Sequence, residues 1–234
     1  MGHFPFFMEI EGKKGVIVGG GHVAARKVEK LLPFGPALKV IAPWIGEDIR
    51  IQEKLLQQNA AASLLLEERP FQKEDLDGAD FVIAAADDEA VNGQIAKYCR
   101  AEKILVNVVD DREKCTFFFP ALVQKGALTV GISTDGKSPV AAAWMRRKID
   151  DVLPEELGVT IDLLGQIRPL VMERIQEETA RKEILERMFL YCLEKEGKAS
   201  LEELTEFLTP YCAAEENGKD ALPGMISAEE RNTE

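Results

Sequence analysis

Gly19, Gly21 and Ala24 follow the apolar run Gly15-Val16-Ile17-Val18 at the spacing G-x-G-x-x-G/A, the fingerprint of a dinucleotide-binding turn. The first glycine permits a tight turn. The second lets backbone approach a pyrophosphate, and the small third residue lets helix and strand pack closely. The pyrophosphate would sit at the positive end of the next helix, where backbone N–H groups lack helical partners. The same glycines can also serve a turn used only for packing. One part of the fingerprint is missing. The second apolar run, 37–42, should end in Asp or Glu to hold ribose hydroxyls, but it ends in Ala42-Pro43-Trp44, with no Arg directly after it to take a 2′-phosphate. Backbone near Pro43 and Trp44 is left to hold the adenosine ribose, and NAD and NADP both stay open.

Other candidate chemistry is sparse. His3 and His22 are the two histidines, with no nucleophile motif beside either and no spacing that suits a metal. His22 lies in the glycine turn, as a catalytic group or as an exposed polar residue. Asn107-Val108-Val109-Asp110-Asp111 closes another apolar run. A carboxylate in a partly dry crevice there can act as a base; equally, Asp110 or Asp111 can cap the following turn. Asp87-Asp88-Glu89 reads as a helix N-terminus with acids favoured by the dipole. Ser133-Thr134-Asp135-Gly136-Lys137-Ser138-Pro139 precedes a helix and is a candidate anion loop. Arg146-Arg147-Lys148 on that helix is either a solvated face or a wall that binds carboxylates.

Alternating elements must position these groups. The pattern predicts a strand before Gly19, then helix 23–32, strand 37–42, helix 47–58, strand 61–66, a short turn at 73–76, strand 80–86, helix 88–100 and strand 104–109. That order implies an α/β fold with a Rossmann-type parallel sheet and right-handed crossovers. Ligands bind beyond the carboxyl ends of such strands, so the loops at 19–22, 42–44, 85–88 and 107–111 should share one crevice. Ala85 and Asp87 thereby join the cofactor-binding set. The alternation then stops. Strands over 116–120 and 127–133, joined around Lys125-Gly126, predict a phenylalanine-rich hairpin, read as a dimer contact or as an extension of the sheet. Helices follow over 139–152, 155–178, 182–196 and 200–208, the first capped by Ser138 before Pro139 and the last opened by a Ser200/Glu203 capping box.

The chain has 234 residues and a formal charge of −12, which argues against nucleic acid as the main partner. No apolar run is long enough to span a bilayer, and the N-terminus has no basic region or cleavable signal. A cytoplasmic protein away from membranes is expected. Cys99, Cys115, Cys192 and Cys212 lie far apart with no C-x-x-C pair, as expected of free thiols in a reducing compartment. Beyond Tyr211 the chain is polar and acidic, and disorder is expected there.

Together these blocks resemble the precorrin-2 dehydrogenase/sirohydrochlorin ferrochelatase family of siroheme synthesis. The resemblance runs through His3-Phe4-Pro5-Phe6-Phe7, the stretch from Val16 to Lys27, Ala84 to Asn92, Asn107 to Asp110, Phe117-Phe118-Phe119-Pro120 and Ser133 to Pro139, in family order over about the first 150 residues. With no methyltransferase-type domain following in this sequence, the stand-alone form is expected. The resemblance implies a Rossmann domain (1–113), a dimerisation region with its hairpin (114–150) and a C-terminal helical domain (151–212) before an acidic tail (213–234), in a homodimer. It implies NAD-dependent oxidation of the tetrapyrrole precorrin-2 to sirohydrochlorin, and in some members insertion of ferrous iron to give siroheme. The family's catalytic aspartate matches Asp110. The cofactor positions carried over are His22, Val23, Pro43 and Trp44. The family's phosphorylatable serine matches Thr134, and Asp135 replaces a glycine. For a polycarboxylate substrate, Asn107, Ser133, Thr134, Lys137, Ser138 and Arg146 are the expected contacts, with Arg112 and Arg147 nearby. Two other readings stand beside the dehydrogenase: a bifunctional dehydrogenase and chelatase, and a non-catalytic module that senses nucleotide.

Overall fold

The computed structural model describes residues 3–56 and 62–216, with side chains described as far as residue 209. Its contacts divide after Phe119 into two compact units, Phe4–Phe119 and the described residues from Pro120 onward together with His3. Residues 114–119 therefore go with the first unit, while the hairpin goes with all of the later helices.

In the first unit, β1 (Lys14–Val18), β2 (Ala37–Ala42), β3 (Ser63–Glu68), β4 (Phe81–Ala84) and β5 (Leu105–Val108) form a parallel sheet in the order β3-β2-β1-β4-β5. Helices α1 (His22–Leu31), α2 (Glu47–Leu56) and α3 (Glu89–Glu102) connect them. Side chains alternate across the sheet, and two cores result. Ile17, Val40 and Ile83 face one way, with Val28 of α1 and Ile49 of α2. Val16, Val18, Ile41 and Val82 face the other, with Ile95 and Cys99 of α3. The chain winds outward from β1 in one direction and returns to β4 on its other side. The switch point, where ligands bind in such sheets, thus lies between the ends of β1 and β4.

Two expected strands move. The third begins at Ser63 and runs to Glu68, later than 61–66. It is an edge strand paired residue for residue with Ala37–Ala42, so its polar end stays in the ladder. The phenylalanine segment 116–120 is not a strand. Thr116 N–H donates to Val106 O at 2.8 Å, Asn107 Nδ2 donates to Phe117 O at 3.0 Å, and Phe117 and Phe119 pack on the core beneath α1 and α2. Phe117 and Phe119 thus cover the core on this side of the sheet.

The hairpin of the second unit therefore starts later, as β6 (Ala121–Lys125) and antiparallel β7 (Leu128–Ile132). Its turn at Gly126 (φ +55°) meets the backbone of Gly158, where an added Cβ would come within 2.8 Å of Gly126 N. Four helices follow: α4 (Pro139–Val152), α5 (Leu157–Arg174), α6 (Glu178–Glu194) and α7 (Leu201–Glu216). Ile167, Val171, Ile184, Met188, Leu204 and Leu208 join the last three in one core. Helix α5 ends before the expected 178 because the Glu177 carboxylate caps α6, accepting from Thr179 N–H at 2.9 Å. Helix α7 continues past the expected end at 208 through the helix formers at 213–216. The expected disorder beyond Tyr211 is thus replaced by helix as far as Glu216, and the rest of the tail lies outside the described residues. Among the described residues no helix is long and apolar enough to cross a membrane.

Candidate functional site

The three glycines after β1 do different work. Gly19 has φ +134°, and a Cβ on it would lie 2.1 Å from the Ala85 carbonyl oxygen. Its N–H donates to Ile41 O at 2.9 Å, and Ala85 N–H donates to Val18 O at 2.7 Å, so the exit of β1 is pinned to both neighbouring strands. Gly20, a variable position in the fingerprint, is equally constrained. A Cβ there would lie 1.9 Å from Trp44 O, and Gly20 O accepts from Gly46 N–H at 2.9 Å. Gly21 faces open space, with nothing within 4 Å of an added Cβ. It is the N-cap of α1, makes no side-chain cap, and no acid lies in the first turn. The positive end of the helix is therefore open beside Gly21, which fits a pyrophosphate. Ala24 is fully buried against the sheet, while His22 is exposed and Val23 is half-buried.

The neighbouring loops are held firmly. Pro43 and Trp44 are both exposed, Trp44 by 65%. Asn92, which sequence reasoning did not single out, is buried and grips the loop after β4. Its Nδ2 donates to Ala86 O at 2.8 Å, and its Oδ1 accepts from Ala86 N–H at 3.1 Å. Asp88 is the cap of α3, accepting from Ala90 N–H at 2.8 Å, which leaves the exposed Asp87 beside Ala85 at the loop. At the end of β3 the Glu68 carboxylate accepts from Ile45 N–H at 3.3 Å and from Arg50 Nη2 at 2.8 Å. The Arg50 hydrogen bond, then that of the Ile45 N–H, holds this carboxyl below the usual carboxylate range.

Beyond β5 the two acids separate in role. Asp111 caps a 3₁₀ turn at Arg112–Lys114, accepting from Lys114 N–H at 3.2 Å. Asp110 makes no such cap and stands exposed with φ +60°, a left-handed conformation that Asp tolerates better than most residues. Strained backbone of this kind clusters at functional sites. Asn107 is buried, and its amide is engaged with the Phe117 carbonyl, so it holds the phenylalanine segment in place. Cys115 Sγ lies 3.1 Å from Val108 N and 3.2 Å from Asp111 O, and burial pushes its thiol up.

Lys27, midway along α1, is another group that sequence reasoning missed. Its ammonium sits over the Phe119 ring, and burial pushes its pKa down to about 8. The Lys30 charge adds to the fall, while Cys115 and Asp110 oppose it. A lysine inside a helix normally reads as a solvated side chain; its signal here is the aromatic segment that folds over it.

The second unit carries the Ser133–Ser138 loop. Thr134 Oγ1 accepts from Ser138 N–H at 3.2 Å and donates to Ser138 O at 3.0 Å, while Lys137 N–H donates to Thr134 O at 3.0 Å. Asp135 adopts φ +55°, a left-handed conformation that Asp tolerates, and its carboxylate pairs with His3. Ser138 Oγ accepts from Ala141 N–H at 3.2 Å as the cap of α4. Ser133 Oγ accepts from Asp135 N–H at 3.2 Å, so three hydroxyls build the loop, with Lys137 exposed on it and Arg146 half-buried on α4. Among the described residues no group of three His, Cys, Asp or Glu could hold a metal ion.

The family described as "Putative NAD(P)-binding" matches residues 6–121, and that described as "Sirohaem biosynthesis protein central" matches residues 125–151. Siroheme synthase of Photorhabdus laumondii subsp. laumondii is 38% identical over 189 residues, covering 81% of this chain and 39% of that protein. Siroheme synthase 1 of Pectobacterium atrosepticum is 35% identical over 190 residues, covering 81% and 38%. The chain thus spans about two fifths of the length of these curated relatives. Among solved structures, "SirC, precorrin-2 dehydrogenase" is similar with a TM-score of 0.63 and 25% identity, covering 88% of this chain and 97% of that one.

Proposed function

The chain belongs to the precorrin-2 dehydrogenase/sirohydrochlorin ferrochelatase family, and from that membership we propose that it oxidises precorrin-2 to sirohydrochlorin with NAD. The observation that carries the proposal is the open N-terminus of α1 at Gly21, beside two glycines that no other residue can replace without a backbone clash. His22, Val23 and Ala24 follow at that helix end, with Pro43, Trp44, Ala85 and Asp87 on the adjoining loops, as the residues that would hold the cofactor. Bound nicotinamide would supply the hydride acceptor, the part of the reaction that side chains cannot perform.

The reaction removes a hydride and a proton from the substrate. Asp110 takes the proton in this reading. It is the acid of its pair that no capping role occupies, and its left-handed backbone turns it away from the regular path of β5. In the second unit, Lys137 and Arg146 offer cations to substrate carboxylates, on a loop whose shape Thr134 and Ser138 maintain.

The protein acts as a homodimer in this reading. Helix α4 exposes Val140, Trp144, Met145 and Val152, an apolar series that a monomer would leave in water. Sedimentation of the wild type against Trp144→Glu tests it, with a shift towards monomer expected.

The deciding experiment is an anaerobic spectrum of the protein with precorrin-2 and NAD, before and after ferrous iron. NADH and sirohydrochlorin formed before iron support the proposal. Enzyme-dependent siroheme after iron would add chelation. No NADH at either stage, with NAD shown to bind, would turn the assignment to a nucleotide sensor.

A further inference from the structure

We infer that Glu68 makes the nucleotide site select NAD over NADP, acting as the carboxylate that β2 itself lacks; this rests on the reading of the glycine turn as a dinucleotide site. The fingerprint places an acid at the end of β2, where it meets the ribose hydroxyls. Here β2 ends in Ala42, and the next residues, Pro43 and Trp44, carry no charge. The parallel neighbour supplies one. Glu68 is the last residue of β3 and pairs in register with Ala42. Its side chain crosses to the connection after β2, where Oε1 accepts from Ile45 N–H at 3.3 Å. The missing acid is thus displaced by one strand and brought back to the same loop.

Its surroundings favour a role in selection. Glu68 is 45% exposed, so its carboxylate is reachable from solvent. A carboxylate accepts hydrogen bonds from ribose hydroxyls and repels a 2′-phosphate. The cations nearby that would welcome a phosphate are already committed. Arg50 donates through Nη2 to Glu68 at 2.8 Å and through Nε to Ile45 O at 3.3 Å. Arg69, the next residue in the chain, is bound to Asp75 and Glu67, and Lys54 pairs with Glu47 at 3.6 Å. Glu68 therefore acts twice against NADP. It presents like charge to the phosphate, and it neutralises the arginine that would otherwise bind it. As a plain surface ion pair the Arg50–Glu68 contact would contribute little to stability.

The test compares NADH and NADPH binding, by calorimetry, to the wild type, Glu68→Gln and Arg50→Gln, with the melting temperature of each. The expected wild type prefers NADH by about tenfold or more. Glu68→Gln should narrow that ratio by about tenfold, mainly through tighter NADPH, because Arg50 is released; one good charged contact to a phosphate is worth about that factor. Arg50→Gln should keep the preference for NADH. An unchanged ratio in Glu68→Gln, with NADH still bound, overturns the role of Glu68 and leaves the dinucleotide site standing. Equal binding of both nucleotides by Arg50→Gln, which retains the carboxylate, overturns it too, and does so even if Glu68→Gln fails to fold. A wild type that binds neither nucleotide overturns the dinucleotide reading itself.

Discussion

The ammonium of Lys27 lies 3.7 Å from the ring centroid of Phe119, so a cation in the middle of α1 is roofed by the aromatic segment that follows β5. The same amine feels the charge of Asp110, the candidate base. Burial lowers its pKa from 10.5 to about 8. Between those values the unfolded chain holds a proton that the folded chain has released, so folding stability from this group rises with pH across that window. Below about pH 8 both states are charged and the folded state carries the full burial penalty. Lys27→Met should therefore raise stability at pH 7 by on the order of 1 kcal/mol after the lost ring contact is subtracted, and the melting temperature with it. The gain should shrink towards pH 10. Turnover should fall by about tenfold over the same change, as expected for a charge kept near a reacting acid despite its cost. Thermal melts at pH 7 and 10, with steady-state rates, check it; a fall in both stability and turnover would make Lys27 a packing residue only.

The glycine turn separates fold from ligand. Alanine at Gly19 or Gly20 puts a Cβ 2.1 or 1.9 Å from a backbone carbonyl oxygen, and Gly19 also needs its positive φ. Each change should cost about 2 kcal/mol or more, because strands and loops must shift to admit it. Gly21→Ala meets nothing within 4 Å. It should leave the melting temperature nearly unchanged yet weaken NADH binding about tenfold, since the methyl enters the space reserved for the ligand. Melting curves and NADH titrations of the three variants check this order. Equal NADH affinity in Gly21→Ala and wild type would place the pyrophosphate elsewhere.

Asp75 ties the turn before β4 to the β2–β3 edge. It is buried, accepts from Arg69 Nη1 at 2.8 Å and lies 3.4 Å from Lys39 Nζ. The Arg69 hydrogen bonds, chiefly, hold its carboxyl down at about 2. A carboxyl with a depressed folded pKa stabilises the fold above its unfolded value near 3.8, and that stability is lost as pH falls through about 2. Arg69 is about a third exposed, so solvent screening limits the effect to about 1 kcal/mol. Asp75→Asn should lower stability by that amount at pH 7 and flatten the acid limb between pH 4 and 2. Urea midpoints across that range measure both; an unchanged acid limb would mean that another carboxyl governs it.

The alternation of apolar runs and glycine breaks made the parallel sheet legible because strand and helix periods differ so plainly. The Gly19 turn was legible for the same reason, being punctuation between two strong patterns. What escaped the sequence depends on contacts between distant residues. Phe117 and Phe119 carry a strand-like pattern, yet their backbone is tied to β5 through Thr116 and Asn107, which no local propensity records. Gly20 is ordinary in the motif and becomes irreplaceable only because Trp44 O lies beside it. Glu68 and Asn92 act on loops 23 and six residues away in sequence, through hydrogen bonds that require the folded register. Lys27 is a helix surface residue until the segment after β5 covers it.

The adjacent acids Asp110 and Asp111 give the most direct test of the chemistry. Asp111 caps the 3₁₀ turn, and its hydrogen bond to Lys114, first, then the Lys114 backbone and charge, hold its carboxyl below the usual range. Asp110 stands outside that cap at φ +60°. Asn tolerates the left-handed conformation as well as Asp does, so Asp110→Asn changes the chemistry without straining the turn. It should keep the melting temperature and NADH affinity while cutting turnover by about a hundredfold or more. Asp111→Ala should do the reverse, lowering the melting temperature through the missing cap while turnover stays within a few-fold. Single-turnover rates under anaerobic conditions, with melts of both variants, separate the two roles. Full turnover in Asp110→Asn would remove it as the base, and loss of turnover in Asp111→Ala with stability intact would transfer that role to its neighbour.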